Sequence, residues 1–281
     1  MSKTLNIVGC GHVGRTLGRL WSANESFVIQ DVLNRSVESG QQAVAFMQAG
    51  EAVAAYADLR AADIYLIATP DDQIATACEA LAQTGLLNAN SVVFHCSGAL
   101  LSSDLQSASH CGAAVASTHP VRSFAVPEQV MTSFAGTYCG VEGDPAALHL
   151  LTAAFTEIGA IPVAIDAEFK SIYHAAAVFA SNYLVTLLDV AQQAYAKAGI
   201  PAGEALKLME PLVRGTVDNV FQLGPTDALT GPIARGDIAT AVKQYRAMNA
   251  WDDQLGALYK QLGKLTADIA ARRLTHKPDL E

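Results

Sequence analysis

The chain has 281 residues, of which 51% are hydrophobic and 16% are charged, and its formal net charge is −9. A chain of this length can bury a large core and is expected to form one or two domains. The negative charge would repel a nucleic acid and no cluster of Lys and Arg offsets it, so a nucleic-acid partner is disfavoured.

The sequence shows no sign of export, membrane insertion or metal binding. The N-terminus lacks a basic segment followed by a long apolar run, and no stretch reaches about 18 uninterrupted apolar residues. The five cysteines are scattered and form no Cys-x-x-Cys pair, which argues against a disulfide framework or a zinc site. We therefore expect a cytoplasmic protein that contacts no membrane and binds no metal.

The first predicted element is a short apolar strand that leads into Gly9, Gly11 and Gly14, with the spacing G-x-G-x-x-G. In this motif the first glycine permits a tight turn, the second lets a pyrophosphate approach the backbone, and the third lets the next helix pack on the sheet. The following segment, VGRTLGRLW, has apolar residues at helical spacing. The motif predicts dinucleotide binding, with His12 and Val13 in the binding loop. A glycine-rich turn without a ligand is the alternative.

Strands and helices alternate over the first half of the sequence. This alternation predicts an α/β fold with a doubly wound, mainly parallel sheet in residues 1–165. An Ala-rich helical stretch then runs from Asp166 to Gly199, and the later segments are also helical, so we expect an all-helical second domain at 166–281. The candidate strands are 5–9, 27–33, 63–69, 91–97, 113–117 and 137–141.

The identity of the dinucleotide depends on the end of the second strand. An NAD site usually has an acid about 20 residues beyond the last glycine, whereas a 2′-phosphate needs a cation and hydroxyl or amide donors. Asn34, Arg35 and Ser36 occupy that position, and Arg35 can make a charge-assisted contact with a phosphate. These residues predict NADP. The alternative is that the strand ends early and that Asp31 binds the ribose of NAD.

Polar and small residues follow the strand at 63–69. Ala68, Thr69 and Pro70 should lie at the carboxyl edge of the sheet, where doubly wound sheets bind ligands. They are therefore further candidates for cofactor binding. A plain loop in which Asp71 or Asp72 caps the next helix explains the same residues.

Two histidines are expected at successive strand ends. His95, Ser97 and Gly98 fall at the end of the strand at 91–97, and His119 follows the next strand. A single histidine in such a place is more often structural. The recurrence at neighbouring strand ends favours a substrate-binding role for this group.

The long helical stretch has a polar stripe. Lys170, Tyr173, His174, Ala177 and Ser181 share about a third of the helix circumference. Polar groups buried at a domain interface are costly unless they pair or function, so this stripe predicts a face for proton transfer. The alternative is that the stripe is the solvated face of the helix.

The C-terminal half yields two further predictions. Arg235, in the segment ALTGPIARGD, could hold an anionic substrate group, while Asp237 would cap the next helix. The helical stretch from Asp166 to Gly199 is apolar around much of its circumference, so other protein has to cover it. We therefore expect a homodimer built from the C-terminal helices, with an intramolecular bundle as the alternative.

The chain resembles a bacterial oxidoreductase-like family that joins a Rossmann-like domain to a helical domain of unknown function. Its order of domains is more distantly similar to that of β-hydroxyacid dehydrogenases, 6-phosphogluconate dehydrogenases and pyrroline-5-carboxylate reductases. In the hydroxyacid branch a Ser-Gly pair binds substrate and a helix lysine acts as acid or base, which Ser97, Gly98 and Lys170 match. His174 stands where that branch has asparagine. The resemblance lies in the segments VGCGHVG, HCSGAL, THPVRSF, KSIYHAAAVFASNY and ALTGPIARGD.

These observations together predict an NADP-dependent oxidoreductase that transfers a hydride between the nicotinamide and a small C=O or C=N substrate bound between the domains. Lys170 or His174 would exchange the accompanying proton. Ser97 and His95 would orient the substrate, and Arg235 would neutralise an anionic group on it. The alternative is a dinucleotide-binding sensor or regulatory protein without turnover.

Overall fold

The computed structural model describes residues 3–275 of the chain. Contacts divide the chain into two compact units, Met1–Ala180 and Ser181–Glu281. The strands of the first unit are β1 (Lys3–Val8), β2 (Phe27–Leu33), β3 (Glu51–Val53), β4 (Ile64–Ile67), β5 (Val92–His95), β6 (Ala114–Pro120), β7 (Tyr138–Gly143) and β8 (Ile161–Ala164). Its α-helices are α1 (His12–Ala23), α2 (Val37–Met47), α3 (Asp71–Gln83), α4 (Gln106–His110), α5 (Pro127–Ser133), α6 (Pro145–Glu157) and α7 (Lys170–Ala180).

The strands form one sheet in the order β3-β2-β1-β4-β5-β6-β7-β8. The first six strands in this order are parallel to one another. Strand β7 is antiparallel to β6, and β8 is parallel to β7. Parallel neighbours require crossover connections, and helices in those connections cover the faces of the sheet. The order of the first six strands is that of the doubly wound dinucleotide-binding fold. The predicted α/β fold is therefore confirmed.

Alternate residues of the central strands point into two cores, one on each face of the sheet. In β4, Ile64 and Leu66 belong to the first core and Tyr65 belongs to the second. Because both faces are buried, β4 is apolar at every position. Trp21 of α1 lies at the centre of the first core, where it meets the ring of Phe155 edge-on and donates a hydrogen bond to the backbone of α6.

The strand ends differ from the candidate strands in ways that matter for the site. Strand β4 ends at Ile67 and β5 ends at His95, so the residues after them lie in loops at the carboxyl edge. Strand β6 continues to Pro120 and includes His119. The short edge strands β3 and β8 were not among the candidates.

The predicted single helical stretch is interrupted at Ser181. The backbone there has φ −122° and ψ −70°, so α7 ends at Ala180 and a new helix begins at Asn182. The division between the two units also falls at this point. The predicted domain boundary at residue 165 precedes α7, whereas contacts group α7 with the sheet.

The second unit is helical, as predicted. Helix α9 contains a bend at Gly224, where φ is +77° and Pro225 follows, because proline cannot continue the backbone hydrogen bonding of the preceding turn. The helices are α8 (Asn182–Lys197), α9 (Ala202–Ala228), α10 (Ile238–Trp251) and α11 (Asp253–Thr275).

The second unit exposes much of its apolar surface. Among its described residues the buried hydrophobic side chains are Ala205 and Met209, whereas Val185 is 67% exposed and Leu212 is 62% exposed. By length and composition alone, the stretch Ala167–Lys197 is able to cross a membrane, a test that helices of soluble proteins also pass. Exposed apolar surface of this extent is typical of interaction surfaces.

Candidate functional site

Gly9 ends β1 in a turn that no other residue fits. Its φ is +81°, and a Cβ atom at this position would lie 2.5 Å from Cγ2 and 2.6 Å from the backbone N of Thr69. The N–H of Gly9 donates to the carbonyl of Leu33 at 2.8 Å, which ties the turn to the end of β2. Glycine is therefore required by both conformation and space.

The other two glycines of the motif have different surroundings. A Cβ atom on Gly14 would lie 3.2 Å from Cβ of Ala68, so α1 packs closely on the sheet. Around Gly11 the nearest atom to such a Cβ is a carbonyl oxygen 4.0 Å away, which leaves open space. Helix α1 begins at exposed His12 with no side-chain cap, while Val13 packs on the first core. The first N–H groups of α1 are thus available to an anion.

Thr69 supplies independent evidence for a ligand at this edge. Its Oγ1 is buried and has no hydrogen-bond partner among the described residues, although leaving such a group unsatisfied costs about 1–3 kcal/mol. Thr69 lies against Gly9, and the following Pro70 is the N-cap of α3. An orphaned hydroxyl beside an open glycine turn fits the phosphates and ribose of a dinucleotide.

The predicted ribose-binding residues lie at the end of β2. Asn34 accepts a 2.6 Å hydrogen bond from the backbone N–H of Cys10, so its side chain holds the glycine turn. Ser36 is the N-cap of α2 and accepts from Ser39. Arg35 is exposed and forms no ion pair within residues 3–275. Arg35 is thus free to bind a phosphate.

Asp31, the alternative ribose ligand, has partners of its own. Its strand continues to Leu33 instead of ending early, and its side chain is 1% exposed. The carboxylate accepts from the backbone N–H of Arg60 at 2.7 Å and pairs with the guanidinium at 2.5 Å. The NAD alternative assumed that the strand ends early and leaves the carboxylate of Asp31 to the ribose, and neither is the case here.

His95 and Ser97 stabilise the loop that follows β5. His95 is buried, its Nδ1 accepts from the N–H of Ser97 at 3.1 Å, and its Nε2 lies 3.0 Å from the carbonyl of Leu101. Burial lowers the pKa of His95 and favours the neutral ring, which the acceptor role of Nδ1 requires. The Ser97 hydroxyl donates to Asp71 at 2.8 Å and accepts from the N–H of Leu100 at 3.0 Å. Both predicted substrate-orienting side chains thus have structural partners.

His119, Tyr173 and His174 form a cluster above the loop after β5. The hydroxyl of Tyr173 lies 3.0 Å from Nδ1 of His119, and the two imidazoles meet edge-on with centroids 5.6 Å apart. Both rings pack directly against Gly98. A Cβ atom there would overlap Nδ1 of His174 and lie 2.9 Å from Nε2 of His119. Nδ1 of His174 is buried and has no partner among the described residues. The cluster therefore contains a buried imidazole nitrogen whose hydrogen bond is not made by any described residue.

Burial controls the protonation of this cluster. It lowers the pKa of His119 to about 4, and the positive charges that His174 and Lys170 can hold act in the same direction, while Asp71 opposes them. Burial also raises the pKa of Tyr173, against a backbone hydrogen bond at Gly140. At neutral pH the imidazole of His119 is therefore neutral and the phenol keeps its proton.

Lys170 lies beneath the cluster in a buried ion pair. The side chain is 1% exposed, and its amine donates to Glu142 at 2.8 Å and to Ser117 at 2.5 Å. Burial lowers the pKa of Lys170 and Glu142 opposes that shift. Burial also disfavours the charged carboxylate, but hydrogen bonds from Lys170 and Ser102 hold the pKa of Glu142 below its usual range. Direct proton exchange with a substrate, as predicted for Lys170, would require the amine to leave this pair.

Arg235 belongs to the second unit and is not part of the cluster just described. It ends a short 3₁₀ turn and is exposed. Asp237 caps α10 by accepting from the backbone N–H of Thr240 at 3.0 Å, as predicted. The role of Arg235 in holding a substrate stays a prediction.

Two residues of the site were missed by the sequence analysis. Glu142 is the single charged residue of β7, and an isolated acid in a strand of this kind is the signal that indicates a buried partner. Asp71 was weighed only as a helix cap, but the N-cap of α3 is Pro70 and Asp71 accepts instead from Ser97. A local pattern does not show this contact across the sheet edge.

The sheet order and the glycine turn define a dinucleotide-binding α/β protein with a helical second part. Residues 2–120 match a Rossmann-like domain, and residues 137–266 match a domain of unknown function, DUF2520. The chain thus combines a Rossmann-like domain with a DUF2520 domain, which confirms the resemblance seen in the sequence.

Solved structures with this fold cover nearly the whole chain. A protein from Thermotoga maritima is 28% identical, with 95% of this chain and 98% of that chain covered and a TM-score of 0.76. A candidate NADP oxidoreductase from Bacteroides fragilis is 21% identical, with the same coverage and a TM-score of 0.77. A pyrroline-5-carboxylate reductase from Coxiella burnetii is 15% identical, with 97% and 99% covered and a TM-score of 0.60. No curated protein matches the sequence.

The buried ion pair is expected to stabilise the first unit only while both partners are present. Replacing Lys170 with Met should lower the free energy of unfolding by about 3–5 kcal/mol, because Glu142 is left buried without a cation. Adding Glu142→Gln should restore part of that loss. Urea denaturation of the single and double variants measures both effects, with the exposed Lys207→Met as a control. Equal stability of the single and double variants would contradict the ion pair.

The neutral imidazole of His119 should make stability depend on pH. The folded-state pKa of about 4 lies below the unfolded value of 6.5, so the unfolded chain binds the extra proton first as the pH falls. Stability is therefore retained above pH 6.5 and lost between that pH and about 4, by up to about 3 kcal/mol. Urea denaturation at several pH values in this range should show that the free energy of unfolding depends less steeply on pH for His119→Gln than for the wild type. The exposed His149→Gln is the control, and identical slopes for all three proteins would refute the prediction.

Proposed function

We propose that this protein is an NADP-dependent oxidoreductase acting on a small C=O or C=N compound. The observation that supports this most is the pairing of two features at one sheet edge. An open glycine turn with the orphaned hydroxyl of Thr69 follows β1 and β4, and the cluster of His119, Tyr173 and His174 lies at the ends of β5 and β6. These four strands are adjacent and parallel, as expected where a dinucleotide spans the carboxyl edge.

The cofactor would bind through the backbone around Gly9 and Gly11, the N-terminus of α1 and the loop at Thr69. Arg35 would hold the 2′-phosphate, because it is exposed and Asp31 is already paired with Arg60. When bound in its reduced form, the nicotinamide supplies a hydride.

The substrate would bind beside Gly98, whose lack of a side chain lets the rings of His119 and His174 pack against the loop after β5. His174 would form a hydrogen bond through its unsatisfied Nδ1. Tyr173 would hold His119 in one orientation through the contact at Nδ1. The buried partners of Ser97 and Lys170 support positioning roles for these two residues, with Ser97 shaping the loop and Lys170 fixing α7 on the sheet.

We also propose a cytoplasmic homodimer that covers the apolar helices of the second unit. The exposed side chains of Val185, Leu212 and Leu265 lie on three different helices. A second copy with the same surface would bury them in a closed, isologous contact.

The reaction is tested by incubating the purified protein and NADPH with a panel of ketoacids, aldehydes and imines. Oxidation of NADPH that depends on one of these compounds would support the proposal. Tight cofactor binding without oxidation of any panel member would instead support a sensor or regulatory protein.

Arg35→Ala is expected to weaken NADPH binding about ten- to a hundredfold, because it removes one charge-assisted contact with the 2′-phosphate. Fluorescence titration of the wild type and the variant measures this change. NADH lacks the phosphate, so its affinity should be the same for both proteins. Unchanged NADPH affinity in the variant, or tighter binding of NADH by the wild type, would show that the NADP assignment is wrong.

The homodimer is tested by sedimentation of the full chain at micromolar concentration. We expect a species of twice the chain mass of 29.5 kDa. Replacing exposed Leu212 and Leu265 with Glu should shift the equilibrium towards the monomer, because the contact would then bury charges. A monomeric wild type would rule out the dimer.

A further inference from the structure

Asp71 places a carboxylate beside the imidazole cluster. It is the first residue of α3 and is exposed at the same sheet edge. Its Oδ2 accepts the 2.8 Å hydrogen bond from Ser97, whose neighbour Gly98 lies against both His119 and His174. The carboxylate is therefore held next to the proposed substrate position.

Asp71 differs from the other charged groups near the cluster in having no ion-pair partner among the described residues. The groups whose charges act on the imidazole of His119 are His174, Lys170 and Asp71. The charge of Lys170 is matched by Glu142 at 2.8 Å, whereas no ion pair within residues 3–275 includes Asp71. The cluster thus lies beside a carboxylate that no ion pair among the described residues matches.

A carbonyl substrate would need a proton from the protein. When hydride adds to a C=O bond the oxygen becomes an alkoxide, which has to receive a proton from a nearby acid. His119 is neutral at neutral pH because burial lowers its pKa, and burial raises the pKa of the Tyr173 phenol. Neither group is a ready acid.

We propose that the site selects a cation, namely a protonated C=N compound whose positive charge lies against the carboxylate of Asp71. The carbon gains the hydride that the reduced cofactor loses, the π electron pair moves to nitrogen, and the product is a neutral amine. The substrate is reduced and the cofactor is oxidised. No proton has to come from the protein. This inference rests on the proposed function and narrows its substrate to one class.

The test uses a charged and an uncharged ring of the same size, piperidinium and cyclohexanol. Each is titrated into protein saturated with NADP⁺, and binding is followed by ligand-observed NMR. Asp71→Asn removes the charge and keeps the shape. Asp72→Asn makes the same change one residue further along α3, where the side chain is also exposed, and serves as the matched control. Initial rates of NADPH oxidation with piperideine and cyclohexanone, the corresponding imine and ketone, provide a second readout.

We expect the wild type and Asp72→Asn to bind piperidinium at least about tenfold more tightly than cyclohexanol, and Asp71→Asn to lose this preference. Reduction of piperideine should exceed that of cyclohexanone and fall with the same variant. Equal binding of the two rings, or an equal effect of the two substitutions, would overturn the proposal.

Two further results would assign Asp71 another role and also overturn the proposal. If Asp71→Asn changed the affinity for NADP⁺ relative to NADPH, the carboxylate would be acting on the cofactor. If Asp71→Asn lowered the free energy of unfolding but kept the preference for piperidinium over cyclohexanol, the carboxylate would be stabilising the N-terminus of α3. Failure of both NADPH and NADH to bind would defeat the proposed function itself, whereas cofactor binding without a cation preference would defeat only this inference.

Discussion

The ion pair between Lys170 and Glu142 determines where helix α7 lies on the sheet. Two buried charges repay their desolvation only when each is matched and hydrogen-bonded, and here Ser117 accepts from the amine while Ser102 donates to the carboxylate. The pair therefore joins α7 to β6, β7 and the turn after β5. One helical turn further on, His174 meets the imidazole from β6. The geometry of the cluster is thus a consequence of a charge pair buried below it.

The cofactor half of the site depends on close packing instead of charge. Gly9 lies so near Thr69 that any side chain would collide with the loop after β4, and Gly14 brings α1 against Ala68. These contacts hold the turn, the helix N-terminus and the loop in fixed relation before any ligand binds. Because the turn needs no side chain of its own, the space above Gly11 stays open. The two halves therefore occupy one edge of one sheet but are stabilised by different forces.

Local and periodic features could be predicted from the sequence, whereas contacts between distant segments could not. The alternation of strands and helices predicted the doubly wound sheet, and the glycine spacing predicted the turn after β1, because both are visible in local sequence patterns. Helical periodicity placed Lys170 and His174 on one face of the helix, but it did not predict how deeply each side chain is buried. The depth of Lys170 depends on Glu142, which lies 28 residues earlier in β7. The break at Ser181 has neither proline nor glycine to signal it.

Burial gives the histidines a different chemistry from the one that their residue type suggests. An exposed imidazole exchanges protons near neutral pH, but the ring of His119 is held neutral by burial and by its neighbours His174 and Lys170. Such a ring donates and accepts hydrogen bonds without carrying a spare proton. We propose that the charge that selects the ligand comes instead from a carboxylate. Asp71, anchored through Ser97, is the group next to the cluster that supplies one.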